Sequence, residues 1–478
     1  MTSTTSSAST ALRDNPEIMA AVDTIVAQVA KASSTITDAR PADPALTESY
    51  QKLLDRSAAV KGRGLLYPYL SSGLGNGPLV ELADGSVKWD MICGIGVHFF
   101  GHSHPEIIKA ATIAGFEDTV KHGNLQSGFG AYEFGEKLLE LASRTSRLKH
   151  AFITTSGAVA NESALKVCYQ KHAPASRVIA FADCFMGRTV TMAQIGDSAA
   201  GRVGIPLSTQ VDYMPYYDEV EAERMGGASA FIDRAVAQLE RLITRYPGQH
   251  ACFIFELVQG EGGFNVAGRD YFKALMEVCR THNIAIWADE IQTFGRTERM
   301  FAFEMYDLGA YIDVFCVGKM TQACAALFTE DYNPKPGLLS GTFTGTTADF
   351  TAGLRILEML DDGDFYGPDG SFNHHYTKFC QQVEALAAKH PDWFPPAEGT
   401  KKLIGGVGGM MRFTPFGGDK AKVSAACKTI YDEGVVLFYC GHGPYHLRVL
   451  PPMPIMKDEY WPKVFACIER GLAKVANG

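Results

Sequence analysis

Between about residues 105 and 320, short apolar runs alternate with longer stretches of helical periodicity, and this alternation restricts the fold more than any other feature. The runs are HAFITTS (150–156), RVIAFAD (177–183), ACFIFEL (251–257), IAIWAD (284–289) and DVFCV (313–317), with helix-like segments such as 161–170 and 230–245 between them. Runs this short and this uniformly apolar are strands buried on both faces. Helices between successive strands impose parallel pairing and cover both sides of the sheet. The expected fold class is therefore α/β. In such a sheet ligands bind beyond the carboxyl ends of the strands, so the polar residues that follow each run become the candidates for chemistry.

The flanks differ from this pattern. Residues 17–60 carry helical periodicity, 65–78 are rich in glycine and proline, and 79–90 reads as a hairpin turning at Asp84-Gly85. After 346 a long helix, TADFTAGLRILEML, leads to strand-like KLIGGVGGMMRFTP and GVVLFY, the texture of a smaller α+β domain. The expected division is an N-terminal segment 1–85 (a disordered start at MTSTTSSAST, then helix and hairpin, contributing to the small domain), a large domain 86–345, and a C-terminal small domain 346–478. A net charge of -9 without a long basic run argues against nucleic acid and anionic membranes as partners. No apolar run is long enough to span a bilayer. Eleven cysteines without a CxxC pair read as reduced thiols in a cytoplasmic compartment.

The strand ends form a series. The first run feeds Ser156-Gly157-Ala158 at the start of a helix, where free N–H groups and the helix dipole suit a phosphate; a plain N-cap serine is the alternative. The second is followed by Phe185, which could lie on a planar ligand, and Arg188, whose fork suits a carboxylate. The third carries Glu256 and the glycine-rich Gln259-Gly260-Glu261-Gly262-Gly263, which is no dinucleotide fingerprint. The fourth ends in Asp289-Glu290, tandem acids without a nearby His or Cys to make a metal site, so no metal is expected. The fifth ends before Gly318-Lys319, in an apolar stretch that contains no acid. Lys319 lies thirty residues after Asp289 (319 − 289), about one αβ unit, which puts an aspartate and a lysine at one rim. A buried amine is a good nucleophile toward a carbonyl. A lysine Schiff base with a carboxylate for a pyridinium nitrogen is the protein's share of pyridoxal phosphate chemistry.

Taken together, GHSHP (101–105), TTSGAVANESALK (154–166), FMGRT (185–189), ELVQGEGGF (256–264), ADEIQTFGRT (288–297), VGK (317–319), GTFTG (341–345) and HLRVLPPM (446–453) resemble the class III, or ω-, aminotransferases of pyridoxal-phosphate fold type I. The resemblance implies a large domain with a mainly parallel seven-stranded sheet between helices, a smaller α+β domain, and pyridoxal 5′-phosphate as cofactor. By the same resemblance Lys319 would carry the cofactor and shuttle the proton, and Asp289 would bind the ring nitrogen. Gln292 would lie near the ring hydroxyl, Phe185 on the ring, and Glu256 in the cofactor pocket. Ser156, Gly157 and Ala158 would hold the phosphate, and Thr342 would reach the phosphate of a neighbouring subunit in a homodimer or larger homo-oligomer with shared active sites.

For the substrate, the resemblance implies that Arg188 binds a distal carboxylate and Arg448 the α-carboxylate of 2-oxoglutarate or glutamate. Glu261 would pair with Arg448 when the donor lacks that carboxylate, and Ile95 would line the donor pocket. The implied reaction moves the terminal amine of an ω-amino acid such as 4-aminobutyrate or a longer homologue to a 2-oxo acid, 2-oxoglutarate, by a ping-pong route. Lysine, ornithine, acetylornithine or diamine donors with pyruvate come second, and a decarboxylase or aminomutase of the same fold third. The chain departs from the family at Val159, at Met186, in a residue absent between Thr293 and Phe294, and at TGTT (344–347).

Overall fold

A computed structural model of the chain describes residues 7–117 and 122–478. Its first sheet contains the expected hairpin: β1 (Ser71–Asn76), β2 (Leu79–Leu82) and β3 (Val87–Asp90). β2 and β3 pair antiparallel with Leu79 opposite Trp89. The strand β13 (Val435–Val436) completes this sheet alongside β3, tying the two ends of the chain together.

The central sheet has seven strands: β4 (Leu148–Thr154), β5 (Arg177–Phe181), β6 (Gln210–Met214), β7 (His250–Phe255), β8 (Ala285–Asp289), β9 (Val314–Val317) and β10 (Cys324–Thr329), in the order β4-β10-β9-β8-β7-β5-β6. β5 to β9 are mutually parallel, whereas β10 runs antiparallel between β9 and β4. The burial pattern explains why the runs look uniformly apolar. Val178, Cys252, Ile254, Trp287 and Val314 pack on one face with Ala160, Ala164, Leu165 and Cys168 of the helix Gly157–His172. Their alternates Ile179, Phe253, Phe255, Ile286 and Phe315 pack on the other face.

Two strands were not legible as separate runs. β6 carries Asp212, which accepts from Arg177 and His250, so its charge masks a strand. β10 is fused in sequence to β9 through Gly318–Ala323, and only the turn at Lys319–Thr321 separates them.

At the N-terminus the expected disordered start is corrected in part. Residues 1–6 lie outside the described residues, and Ala8–Arg13 is a short helix capped by Ser7. The helical stretch 17–60 resolves into Pro16–Ser33 and Thr47–Lys61. The long helix after 346 is Thr347–Asp362, opened by a reciprocal Thr346–Asp349 capping box. Beyond it β11 (Ile404–Val407), β12 (Met410–Phe413), β14 (Phe438–Cys440) and β15 (His446–Val449) form a third sheet in the order β11-β12-β15-β14.

Candidate active site

The predicted rim forms where β8 and β9 end. Asp289 is the last residue of β8 and lies opposite Cys316 in register, three residues before Lys319. Asp289 is buried; its Oδ2 accepts from Asn161 Nδ2 at 2.7 Å and its Oδ1 from the Ile291 amide at 3.0 Å. Burial raises its carboxyl to about 6, against the opposing pull of those two donors and of Lys319. Lys319 acts on this carboxylate only at a distance, and no cation forms an ion pair with it among the described residues. Lys319 is half-buried at a left-handed backbone position, φ +60°. Burial pushes its ammonium below the usual lysine range, opposed chiefly by Asp289. Cys93, Ile95, Asp183 and Gln322 are also left-handed non-glycine residues in the surrounding loops, the kind of local strain that concentrates at working sites.

Ser156 has extended backbone and caps the helix Gly157–His172, accepting from the Val159 amide at 3.3 Å. Gly157 abuts Ile291, so closely that a Cβ there would fall 2.8 Å from Cδ1. Ala158 presses on Gly187. The first amides of this helix thus stand beside the residues that follow Asp289. Glu256 is buried and accepts from the amides of Gly260 (2.9 Å) and Phe185 (3.1 Å). It thereby fixes both the glycine-rich loop and the start of the Phe185 loop. Gln292 packs under Gly260, and its buried Oε1 has no partner.

Glu261 Oε1 accepts from Arg448 Nη1 at 2.6 Å. Arg448 is fully buried, its Nε and Nη2 make no hydrogen bond among the described residues, and its guanidinium lies 5.2 Å over the Phe438 ring. Phe438 also lines a cavity of about 280 Å³ with Ile95, Tyr67, Tyr69 and His98, so the arginine and an apolar pocket share a wall. Arg188 is exposed, its guanidinium 5.1 Å over the Phe185 ring and its Nη1 donating to Gly201 O at 3.2 Å. Thr342 is exposed on a loop against which Gly123 packs.

Sequence reasoning missed Asn161, which bridges Asp289 and the Met186 carbonyl (2.8 Å); an asparagine in an otherwise apolar helix face was the available signal. It also missed Arg296. That side chain is buried over the Phe99 ring (4.7 Å), donates to Gly96 O and Gln292 O, and is depressed to about 10 by burial. The tandem acids divide their work. Glu290 accepts from the amides of Ala302 (2.7 Å) and Phe303 (2.9 Å) and holds the helix Ala302–Met305, leaving Asp289 to the rim. Among the described residues the one cluster with metal-ligand geometry is His374, His375 and Asp458, and there Trp461 Nε1 already donates to His375 Nδ1.

A mainly parallel sheet carrying Asp and Lys at adjacent strand ends, beside a helix N-terminus, fits a pyridoxal-phosphate enzyme of fold type I. The model of the Aminotransferase class-III family matches residues 68–470, and the chain belongs to this family. It is 29% identical over 403 residues to a diaminobutyrate–2-oxoglutarate transaminase of Wolinella succinogenes, covering 82% of this chain and 88% of that one. It is 28% identical over 455 residues to a 5-aminovalerate aminotransferase of Pseudomonas aeruginosa, covering 90% and 99%. A lysine aminotransferase structure from M. tuberculosis shares the fold, with a TM-score of 0.76 at 21% identity over 88% and 99% of the two chains. The protein is thus a transaminase, and its cofactor is pyridoxal 5′-phosphate. The residues present fit that group: a buried carboxylate without an ion-pair partner among the described residues, an orphan acceptor on Gln292, and the N-terminus of the helix Gly157–His172 beside Ile291.

Proposed function

We propose that the enzyme transfers the terminal amine of an ω-amino acid, of the 4-aminobutyrate to 5-aminovalerate type, to 2-oxoglutarate in two half-reactions. The observation that carries this reading is the Glu261–Arg448 pair. A buried arginine with two unsatisfied nitrogens is costly unless a carboxylate meets it. Glu261, whose side chain is 28% exposed, can neutralise Arg448 while a donor without an α-carboxylate is bound and swing out when an acceptor brings one. The 5-aminovalerate relative is consistent with a donor of this type.

When bound, the cofactor supplies an electron sink for the carbon that carries the amine. Lys319 would hold the cofactor and then, as a free amine with a depressed pKa, take the proton from that carbon. Asp289, steadied by Asn161, would keep a proton on the ring nitrogen, and Gln292 would accept from the ring hydroxyl. Phe185 and Glu256 would fix the ring laterally, and Ser156, Gly157 and Ala158 would offer amides to the phosphate. Ile95 and its apolar neighbours would take the donor's methylenes, and Arg188 its distal carboxylate.

Thr342 would serve the neighbouring subunit's phosphate in a homodimer or larger assembly, a reading supported by its exposed position. The proposed division remains 1–85, 86–345 and 346–478. A cytoplasmic location is proposed from the reduced cysteines; no helix among the described residues is long and apolar enough to cross a membrane.

The test is a donor panel with 2-oxoglutarate and with pyruvate, scored by glutamate or alanine formed. Glutamate from 4-aminobutyrate or 5-aminovalerate is expected. Turnover confined to lysine, ornithine, acetylornithine or diamines would replace this reading with its runner-up.

A further inference from the structure

On the same face of the third sheet as Arg448, a second arginine is buried without an acid. Arg412 on β12 is the register partner of Arg448 on β15. It is 6% exposed, and no carboxylate partners it among the described residues. Its hydrogen bonds are both made by Nη1, to Thr414 Oγ1 and His446 Nδ1, each at 3.3 Å and therefore weak. Nε is wholly buried and has no partner among the described residues. The Arg412 side chain lies over Gly405 of β11, which gives it room: a Cβ on Gly405 would fall 2.7 Å from Nε and Cζ. His446 is held neutral by burial and by this arginine, its ring depressed to about 3, so it cannot share the positive charge.

Arg412 lines a cavity of about 880 Å³ between the segments 215–221 and 259–266 on one side and 399–412 and 442–446 on the other. The other charged side chains around this cavity have partners, Asp218 as a helix cap that accepts from the Glu221 amide at 2.8 Å and the rest in ion pairs. Asp183 meets His442 at 2.6 Å, Lys402 meets Glu219 at 3.0 Å, Glu221 meets Arg234 at 3.2 Å, and Lys401 meets Glu223. One uncompensated guanidinium therefore faces a polar space large enough for a small molecule. Neither Lys319, Glu261 nor Arg448 lines that space.

We propose that this cavity is a second anion site, separate from the catalytic rim, and that it takes a small carboxylate on the Nη2 side of the Arg412 guanidinium, Nε being closed off behind Gly405. A guanidinium is a charge-assisted partner for a carboxylate, and with Nη1 held by Thr414 and His446 the contact falls to Nη2. Gly262 and Asn265 form part of the wall, and Gly262 follows Glu261 directly, so an occupant would bear on the loop that carries the Arg448 partner.

The test uses the holoenzyme, in which the cofactor already fills its own phosphate site, with succinate and inorganic phosphate titrated by calorimetry. Two succinate sites are expected in the wild type. Arg448→Met should leave one, and Arg412→Met should lose the other, with its Kd raised at least tenfold. If Arg412→Met does not fold, Gly405→Ala should weaken the same site by displacing the guanidinium while keeping the charge. Wild-type binding of succinate in both Arg412→Met and Gly405→Ala would overturn the proposal, as would a site that takes phosphate and not succinate.

Discussion

Glu261 and Arg448 meet through a single hydrogen bond of 2.6 Å, although the arginine offers two further buried nitrogens that nothing among the described residues satisfies. The pair is under-matched by construction. A monodentate partner on a partly exposed side chain can leave, whereas a bidentate partner would lock the site.

Replacing Glu261 with Gln should therefore change preference rather than abolish chemistry. The half-reaction with 4-aminobutyrate or 5-aminovalerate should weaken by about tenfold or more, because Arg448 is left charged and poorly paired beside the donor. The half-reaction with glutamate should be spared. Separate pre-steady-state rates for the two halves measure this, and equal losses in both would show that Glu261 is no switch.

Lys319→Ala should lose the covalent link to the cofactor and with it the near-visible absorbance of the lysine-bound form. Cofactor would remain only by non-covalent contacts and leave on dialysis. Turnover should fall by at least about a hundredfold, since the proton-transferring amine goes too. An unchanged spectrum in the variant would place the linkage elsewhere.

Asn161→Ala removes the donor to Asp289 and leaves the Met186 carbonyl unpaired as well. A stability loss of about 1–3 kcal/mol is expected from the buried groups left unsatisfied. The Asp289 carboxyl should rise further above about 6. The lower edge of the activity profile should move to higher pH, an effect that a purely structural loss would not produce.

Arg188→Ala should raise KM for donors with a distal carboxylate by about tenfold or more, in line with a charge-assisted contact of roughly 1.5–3 kcal/mol. Simple amines should be handled as before. A uniform change across the donor panel would remove Arg188 from the substrate site.

Glu290 gives a pH signature in the cofactor-free protein. Burial lifts its carboxyl from the usual range to about 8, despite two backbone donors. The folded state thus holds a proton that the unfolded chain releases near 4.5, and the associated stability is present at low pH and lost as pH rises toward about 8. Glu290→Gln does not titrate. The advantage of wild type over the variant in Tm should narrow between pH 5 and 8.5; a gap that widens over this range contradicts the assignment.

Much of this was readable in the sequence because it depends on periodicity and order along the chain. The parallel core strands announce themselves through two-sided burial, and the rim residues through their place just after each strand. Asp289 and Lys319 are one αβ unit apart and thus at the ends of adjacent strands. What could not be read depends on contacts between distant segments. β10 hides in the same apolar stretch as β9, and its antiparallel return is settled only by pairing with β4. Arg412 looks like an ordinary strand residue until Gly405, on the neighbouring strand, is seen to seat it. Asn161 and Glu290 likewise acquire meaning only from their partners, 128 and 12–13 residues away.

The left-handed backbone at Lys319 sets the needs of the fold against those of the reaction. A side chain is disfavoured there on conformational grounds alone, by roughly 1 kcal/mol or more, and glycine would be comfortable. On the proposed mechanism, the position that the chemistry can least do without is therefore one that selection for robustness alone would hand to a different residue. Screens that reward thermal endurance without assaying turnover should drift toward glycine at 319 and return hardier, inert proteins.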